Sequence, residues 1–190
     1  MPAKKQTQAS TMIPPKGPPP LPTGTTNLTL GATKATVTKG KATSLRLVRV
    51  IKAPAQRIYD CFLDADAMVK WLPPHGFTGH VDRSDPKVGG GYRMRFATIN
   101  RAWGHSFTGT YQELVPGKRI RYATAFESDD PVMANAKMQV TIDFKPVKGG
   151  TELTILQEGI PAGPAADGAP YGWSQSLDNL ANLCEAELPF

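Results

Sequence analysis

The chain has 190 residues, 40% of them hydrophobic, enough for one well-filled core, and its 22 Lys and Arg against 16 Asp and Glu give a formal net charge of +6. That excess lies entirely in residues 1–44, which hold six lysines and no acid, so the rest of the chain is neutral and offers no basic, aromatic-lined face for nucleic acid. No run approaches the roughly 18 apolar residues of a membrane-spanning helix and no signal-like apolar region opens the chain, which predicts a cytoplasmic protein without a membrane span.

Residues 1–24 are crowded with Pro, Lys, Gln and Thr and cannot bury enough apolar surface to offset the entropy of ordering. With the Thr-, Ala- and Gly-rich residues 25–44 they are expected to form a flexible basic tail, although weak alternation in the second half leaves an edge strand open. From Ser44 the text sharpens: Leu45, Leu47, Arg49 and Ile51 alternate with Arg46, Val48, Val50 and Lys52 as a first strand. Ala53-Pro54 ends it and suits the first turn of a helix in which Ile58 and Phe62 lie four apart beside Tyr59 and Leu63. A second short helix, capped by Asp64 or Asp66, carries Met68, Trp71 and Leu72 until Pro73-Pro74 stops it.

Six strand signals follow, at about 77–83, 91–99, 105–114, 119–127, 136–146 and 151–160. The third and fourth make a hairpin. Phe107, Gly109 and Tyr111 share one face, Ile120, Tyr122, Thr124 and Phe126 share one face, and Val115-Pro116-Gly117-Lys118 reverses the chain. From 170 to 188 a helix places Trp173, Leu177, Leu180, Ala181, Cys184 and Leu188 on one stripe. Seven strands and one long terminal helix predict an α+β fold: an antiparallel sheet that curves around the helix, with Gly79, Gly89 to Gly91 and Gly109 as places to bend, and the hairpin as the wall of a cup.

The order strand, two short helices, six strands, long helix is similar to the helix-grip fold of the START-like (SRPBCC) superfamily, which includes the birch-pollen allergen. Within it, the phrases "VIKAPAQRIYDCFLDADAMVKWLPP", "VGGGYRMRF", "GTYQELVPGKRIRYA", "VTIDFKPVKGGTELTI" and "YGWSQSLDNLANLCE" resemble the family of the activator of the heat-shock-protein-90 ATPase homologue over residues 45–188. The preceding 44 residues are too short for the separate N-terminal domain of the eukaryotic co-chaperone, which favours the stand-alone small-ligand proteins of the family. The resemblance implies a cavity between sheet and terminal helix, lined by Trp71, Phe77, Tyr92, Met94, Phe96, His105, Tyr111, Tyr122, Trp173 and Leu177, that takes a small hydrophobic or aromatic molecule. Plain core packing is the alternative for each of them.

Catalysis has weaker support. His105 could act as acid or base with Glu158 or Tyr111, as in the polyketide cyclases and aromatases of the superfamily, but no nucleophile motif accompanies it. His75, His80, Asp82 and Asp85 match no metal-ligand spacing, so neither metal nor cofactor is expected. Arg93 and Arg95 alternate against Tyr92 and Met94 as a solvated stripe. Cys61 and Cys184 read as buried reduced thiols rather than a disulfide framework. The stretches 127–136 and 159–170 are candidate gates, the second a lid. A second copy of the chain and a chaperone are the macromolecular partners left open.

Overall fold

A computed structural model of the chain describes residues 17–98 and 103–186; the first 16 residues of the predicted tail, and Leu188, lie outside them. The elements in chain order are β1 (Gly24–Leu30), β2 (Thr33–Lys39), β3 (Thr43–Ile51), α1 (Ala55–Leu63), α2 (Ala65–Trp71), β4 (Phe77–Asp85), β5 (Gly91–Thr98), β6 (Trp103–Val115), β7 (Arg119–Glu127), α3 (Pro131–Ala134), β8 (Met138–Val147), β9 (Gly150–Ile160) and α4 (Pro164–Glu185). The strands form one antiparallel sheet in the order β1-β2-β3-β9-β8-β7-β6-β5-β4.

The described sheet therefore has nine strands, not seven. Two of them arise inside the segment read from composition as a tail. Thr33, Ala35 and Val37 are buried along β2, and Gly31, at φ +58°, makes the tight turn back from β1. Their inward side chains are short, so the alternation that makes these strands carries little hydrophobic contrast. The short α3 interrupts the predicted 127–136 loop, with Asp130 capping Val132 N–H. The terminal helix begins at Pro164, one turn and more before the predicted start. Pro164 and Pro170 both suit a first turn, and the structure uses the earlier one while keeping Pro170 inside the helix. The predicted lid thus shortens to the few residues between Ile160 and Pro164.

One face of the sheet carries the helices. Leu45, Leu47 and Ile51 of β3, Leu153 and Ile155 of β9, and Val140, Ile142 and Phe144 of β8 are buried there. Helix α4 crosses β2 and β3, while α1 and α2 pack on α4, β8 and β4. Asp64 separates α1 from α2 and caps the second, accepting from the N–H groups of Asp66 and Ala67 at 2.7 and 3.2 Å. Polar groups strap the N-terminal strands to α4. Lys39 Nζ donates to Asp167 Oδ1 at 2.7 Å and to the Leu21 carbonyl at 2.8 Å, while Leu21 N–H donates to the same carboxylate at 3.0 Å. Arg49, buried on β3, bonds to Thr33 and to Asp178 of α4.

The opposite face is polar. Arg93 clamps Glu127 with two bonds of 2.8 and 2.7 Å and reaches Asp82, which Arg95 also holds. This exposed network ties β4, β5 and β7 together, and it is where the predicted arginine stripe lies.

Candidate functional site

The strands β5, β6 and β7 pair so that their helix-side residues stack in two tiers. Tyr111 lies opposite Tyr122, Tyr92 opposite Gly109, Met94 opposite Phe107, Phe96 opposite His105, and Phe107 opposite Phe126. Gly109 matters sterically: a Cβ there would stand 2.3 Å from the Tyr92 ring, so only glycine lets that ring lie across the neighbouring strand. Gly79 plays the same part for Met94, whose Cε would meet an added Cβ at 2.5 Å. These two glycines make room for large neighbours rather than bend the strands. The register shifts instead fall beside them, between Val81 and Arg83, Phe96 and Ala97, and Tyr111 and Glu113.

The deep tier is Tyr92, Tyr111 and Tyr122, with ring centroids 5.8 to 6.2 Å apart, roofed by Phe62, Met68, Trp71 and Leu72. The hollow left among them is about 10 Å³, the room of one water. No ligand-sized cavity lies there, contrary to the expectation from the resemblance, and the reason is the bulk of the lining. Trp71 is 1% exposed, stacks edge-on against Phe62 at 4.6 Å and is fixed by an indole N–H bond of 2.8 Å to the Cys61 carbonyl. Burial holds the hydroxyls of Tyr92, Tyr111 and Tyr122 neutral by pushing their pKa values up, and the Tyr122 and Thr124 hydroxyls lie beside that of Tyr92. Tyr111 Oη, by contrast, has no partner among the described residues.

The outer tier differs. Phe77, Phe96, Phe107, Phe126 and His105 close a ring of contacts: Phe77 to Phe96 at 6.3 Å, Phe96 to Phe107 at 4.9 Å, Phe107 to Phe126 at 6.5 Å, Phe126 to His105 at 6.4 Å and His105 to Phe77 at 6.3 Å. The four phenylalanines are only half-buried and the imidazole is exposed. Tyr92, 6.2 Å from Phe107, joins the two tiers. On the α4 side stands Trp173, half-buried, donating its indole N–H to Gln157 Oε1 at 2.7 Å; Gln157 in turn points its amide at the Met138 sulfur, and Met138 pairs with Thr124 of β7.

The ten residues expected to line a cavity therefore divide. Phe77, Phe96 and His105 belong to the half-buried ring, whereas Trp173 is bonded to Gln157 of β9. Trp71, Tyr92, Tyr111 and Tyr122 form the filled tier, while Met94 and Leu177, 0% and 1% exposed, are core. Phe107 and Phe126 complete the ring although the sequence reading leaves them out of the ligand set. The signal was present, because the alternation that turns Tyr111 and Tyr122 inward turns these two inward as well.

The catalytic alternatives are not assembled. Glu158 is exposed while its neighbour Gln157 is buried, so the carboxylate lies on the face of the sheet opposite His105, and Tyr111 is sealed in the deep tier. Among the described residues no group of three potential metal ligands converges. His80 stands 3.4 Å from Asp82, but bonds from Arg95 hold the Asp82 carboxyl below its usual range and occupy it. Among the described residues no helix is long and apolar enough to cross a membrane.

Residues 52–185 match the family described as activator of Hsp90 ATPase homolog 1-like protein. Protein CV1439 from Chromobacterium violaceum is 43% identical, with a TM-score of 0.71 over 76% of this chain and 98% of its own crystal structure. A protein from Rhizobium leguminosarum is 25% identical, with a TM-score of 0.61 over 76% of this chain and 95% of its own. A third, from Rhodobacter sphaeroides, is 21% identical and shares the fold at a TM-score of 0.63 over 77% and 95%. No curated protein matches the chain. Strands β1, β2 and β3 precede the first residue of the family match.

Proposed function

The chain belongs to the family of activator of Hsp90 ATPase homolog 1-like proteins, and we propose that this member binds a small, flat apolar molecule on the aromatic ring of Phe77, Phe96, His105, Phe107 and Phe126. The observation that carries the reading is the ring itself: five side chains from three strands and the start of a fourth converge in mutual contact, yet none is fully buried. Each phenylalanine of the cluster still leaves part of its apolar surface in water, and covering that remainder is what a ligand would gain. The deep tier makes the floor of the site rather than its interior.

A flat ligand covering about 300 Å² of apolar surface would gain roughly 7.5 kcal/mol, against an association cost of at least about 4 kcal/mol. Face-to-edge contact with rings adds about 0.5–1.5 kcal/mol per pair. Apolar contact alone thus supports weak to moderate binding, and a polar anchor at His105 would set orientation. Stimulating a chaperone ATPase, the activity in the family's name, is the reading to be separated from this one, by an ATPase assay with the purified chaperone.

The test uses the full chain titrated with 1-anilinonaphthalene-8-sulfonate as an apolar aromatic probe. Phe107→Ala and Phe126→Ala are expected to weaken binding about tenfold, from the loss of roughly 1.4 kcal/mol each. Arg93→Ala, on the other face, should leave it unchanged. Equal effects from all three variants, or a probe that does not bind the folded chain, would remove the proposal.

A further inference from the structure

The two cysteines, 123 positions apart, are brought together where α1 meets the last turn of α4, with their sulfurs 3.5 Å from each other. We infer that Cys61 and Cys184 form a thiol oxidation site, in which a hydroperoxide converts the pair to a reversible disulfide that staples α1 to α4. The idea stands apart from ligand binding at the aromatic ring.

The surroundings assign the two sulfurs different tasks. Cys61 is half-buried and reachable from solvent, whereas Cys184 is 1% exposed. Arg57 lies against the pair, its guanidinium donating to the carbonyls of Leu183 at 3.4 Å and Ala186 at 3.1 Å. The hydrogen bond with Cys184, followed by the Arg57 charge, holds the Cys61 thiol below its ordinary range, while the same bond and burial push Cys184 up. Partial burial, and after it Asp60 and Asp64, oppose the shift at Cys61 without reversing it. An accessible thiol of lowered pKa in contact with a buried thiol of raised pKa is the arrangement of an attacking and a resolving cysteine.

The chemistry balances. The Cys61 thiolate attacks the terminal oxygen of the hydroperoxide, the O–O bond breaks, and the alkoxide or hydroxide leaves and takes up a proton, giving Cys61 sulfenic acid. Cys184, losing its proton, attacks the Cys61 sulfur; the S–S bond forms, the S–O bond breaks, and the departing hydroxide becomes water. Two thiols are oxidised and one hydroperoxide is reduced to alcohol and water. The sulfurs, 3.5 Å apart, must close to about 2.05 Å for the bond to form. The bridge would close a loop holding β4 to β9 and most of the family domain.

The experiment oxidises the reduced full chain with stepwise hydrogen peroxide, then alkylates it under denaturing conditions. The expected product is a monomer two hydrogens lighter, whose digest contains one peptide pair joined through Cys61 and Cys184, with both thiols restored by dithiothreitol. Its thermal midpoint should rise on oxidation and fall back on reduction. In Cys184→Ser, dimedone should trap a sulfenic acid at Cys61; in Cys61→Ser, Cys184 should label far more slowly. The inference fails if both thiols of the native chain stay alkylatable after oxidation, or if only intermolecular cross-links form. Equal labelling of the two variants would overturn the assignment of roles. The native-chain digest decides the main point even where a variant does not fold.

Discussion

Tyr111 shows how tightly the deep tier is filled and at what local cost. Its ring is 2% exposed between Tyr92 and Tyr122, yet its hydroxyl meets no acceptor or donor among the described residues. A buried unpaired hydroxyl costs about 1–3 kcal/mol relative to its hydrated state. Tyr111→Phe keeps the ring and deletes that penalty, so the urea midpoint should stay level or rise by up to about 1 kcal/mol in stability. A fall of the same size would mean that the adjacent 10 Å³ hollow holds a water bonded to the hydroxyl. The same packing explains the division among the residues picked out from the sequence. Tyrosine and tryptophan at inward positions read equally well as lining or as core, because alternation reports only the face a side chain takes. Whether that face is sealed depends on Phe62, Met68 and Trp71 arriving from α1 and α2, and no strand pattern encodes that meeting.

The N-terminal hairpin is the element that composition hides and the structure reveals. A strand whose inward residues are Thr33, Ala35 and Val37 buries little area per residue, so it resembles polar linker until its neighbour β3 and the helix α4 supply the other side of the contact. The core strands β3 and β5 to β9 were legible because Leu, Ile, Tyr and Phe alternate strongly there, and α4 was legible apart from its first turns, where two prolines compete for the start. What holds the hairpin to α4 is electrostatic and can be titrated. Bonds first from Lys39 and then from the Leu21 N–H keep the Asp167 carboxyl below its ordinary value. A depressed folded pKa contributes stability above the unfolded value, near 3.9, and the contribution is lost as pH falls through the lower folded value. Asp167→Asn removes the charge at every pH. The stability gap between the native chain and this variant should therefore be widest near neutrality, narrow below about pH 4 and close in stronger acid, as read from urea midpoints across that range. A gap independent of pH would show that the strap depends on shape rather than charge.

At the scale of the molecule, the hairpin and the aromatic ring lie at opposite edges of one sheet, with β1 and β2 beyond β3 at one end and β4 to β7 at the other. The family match begins at residue 52, so the aromatic ring falls within it, whereas β1, β2 and β3 precede it. This separates what stabilises the fold from what would bind a ligand. Removing residues 1–41 takes away the buried Ala35 and Val37, the partly buried Leu28 and Leu30, the Thr33 hydroxyl that Arg49 uses, and both partners of Asp167. Apolar burial of that extent is worth about 4 kcal/mol. It also bares the backbone edge of β3, a template for pairing with another chain. The truncated protein should unfold at a lower urea concentration and show a concentration-dependent rise in light scattering, while its affinity for the anilinonaphthalene probe stays within about twofold, a difference of less than 0.5 kcal/mol. Affinity lost in step with stability would mean that the aromatic ring depends on the far edge of the sheet, and that the N-terminal strands are part of the binding apparatus.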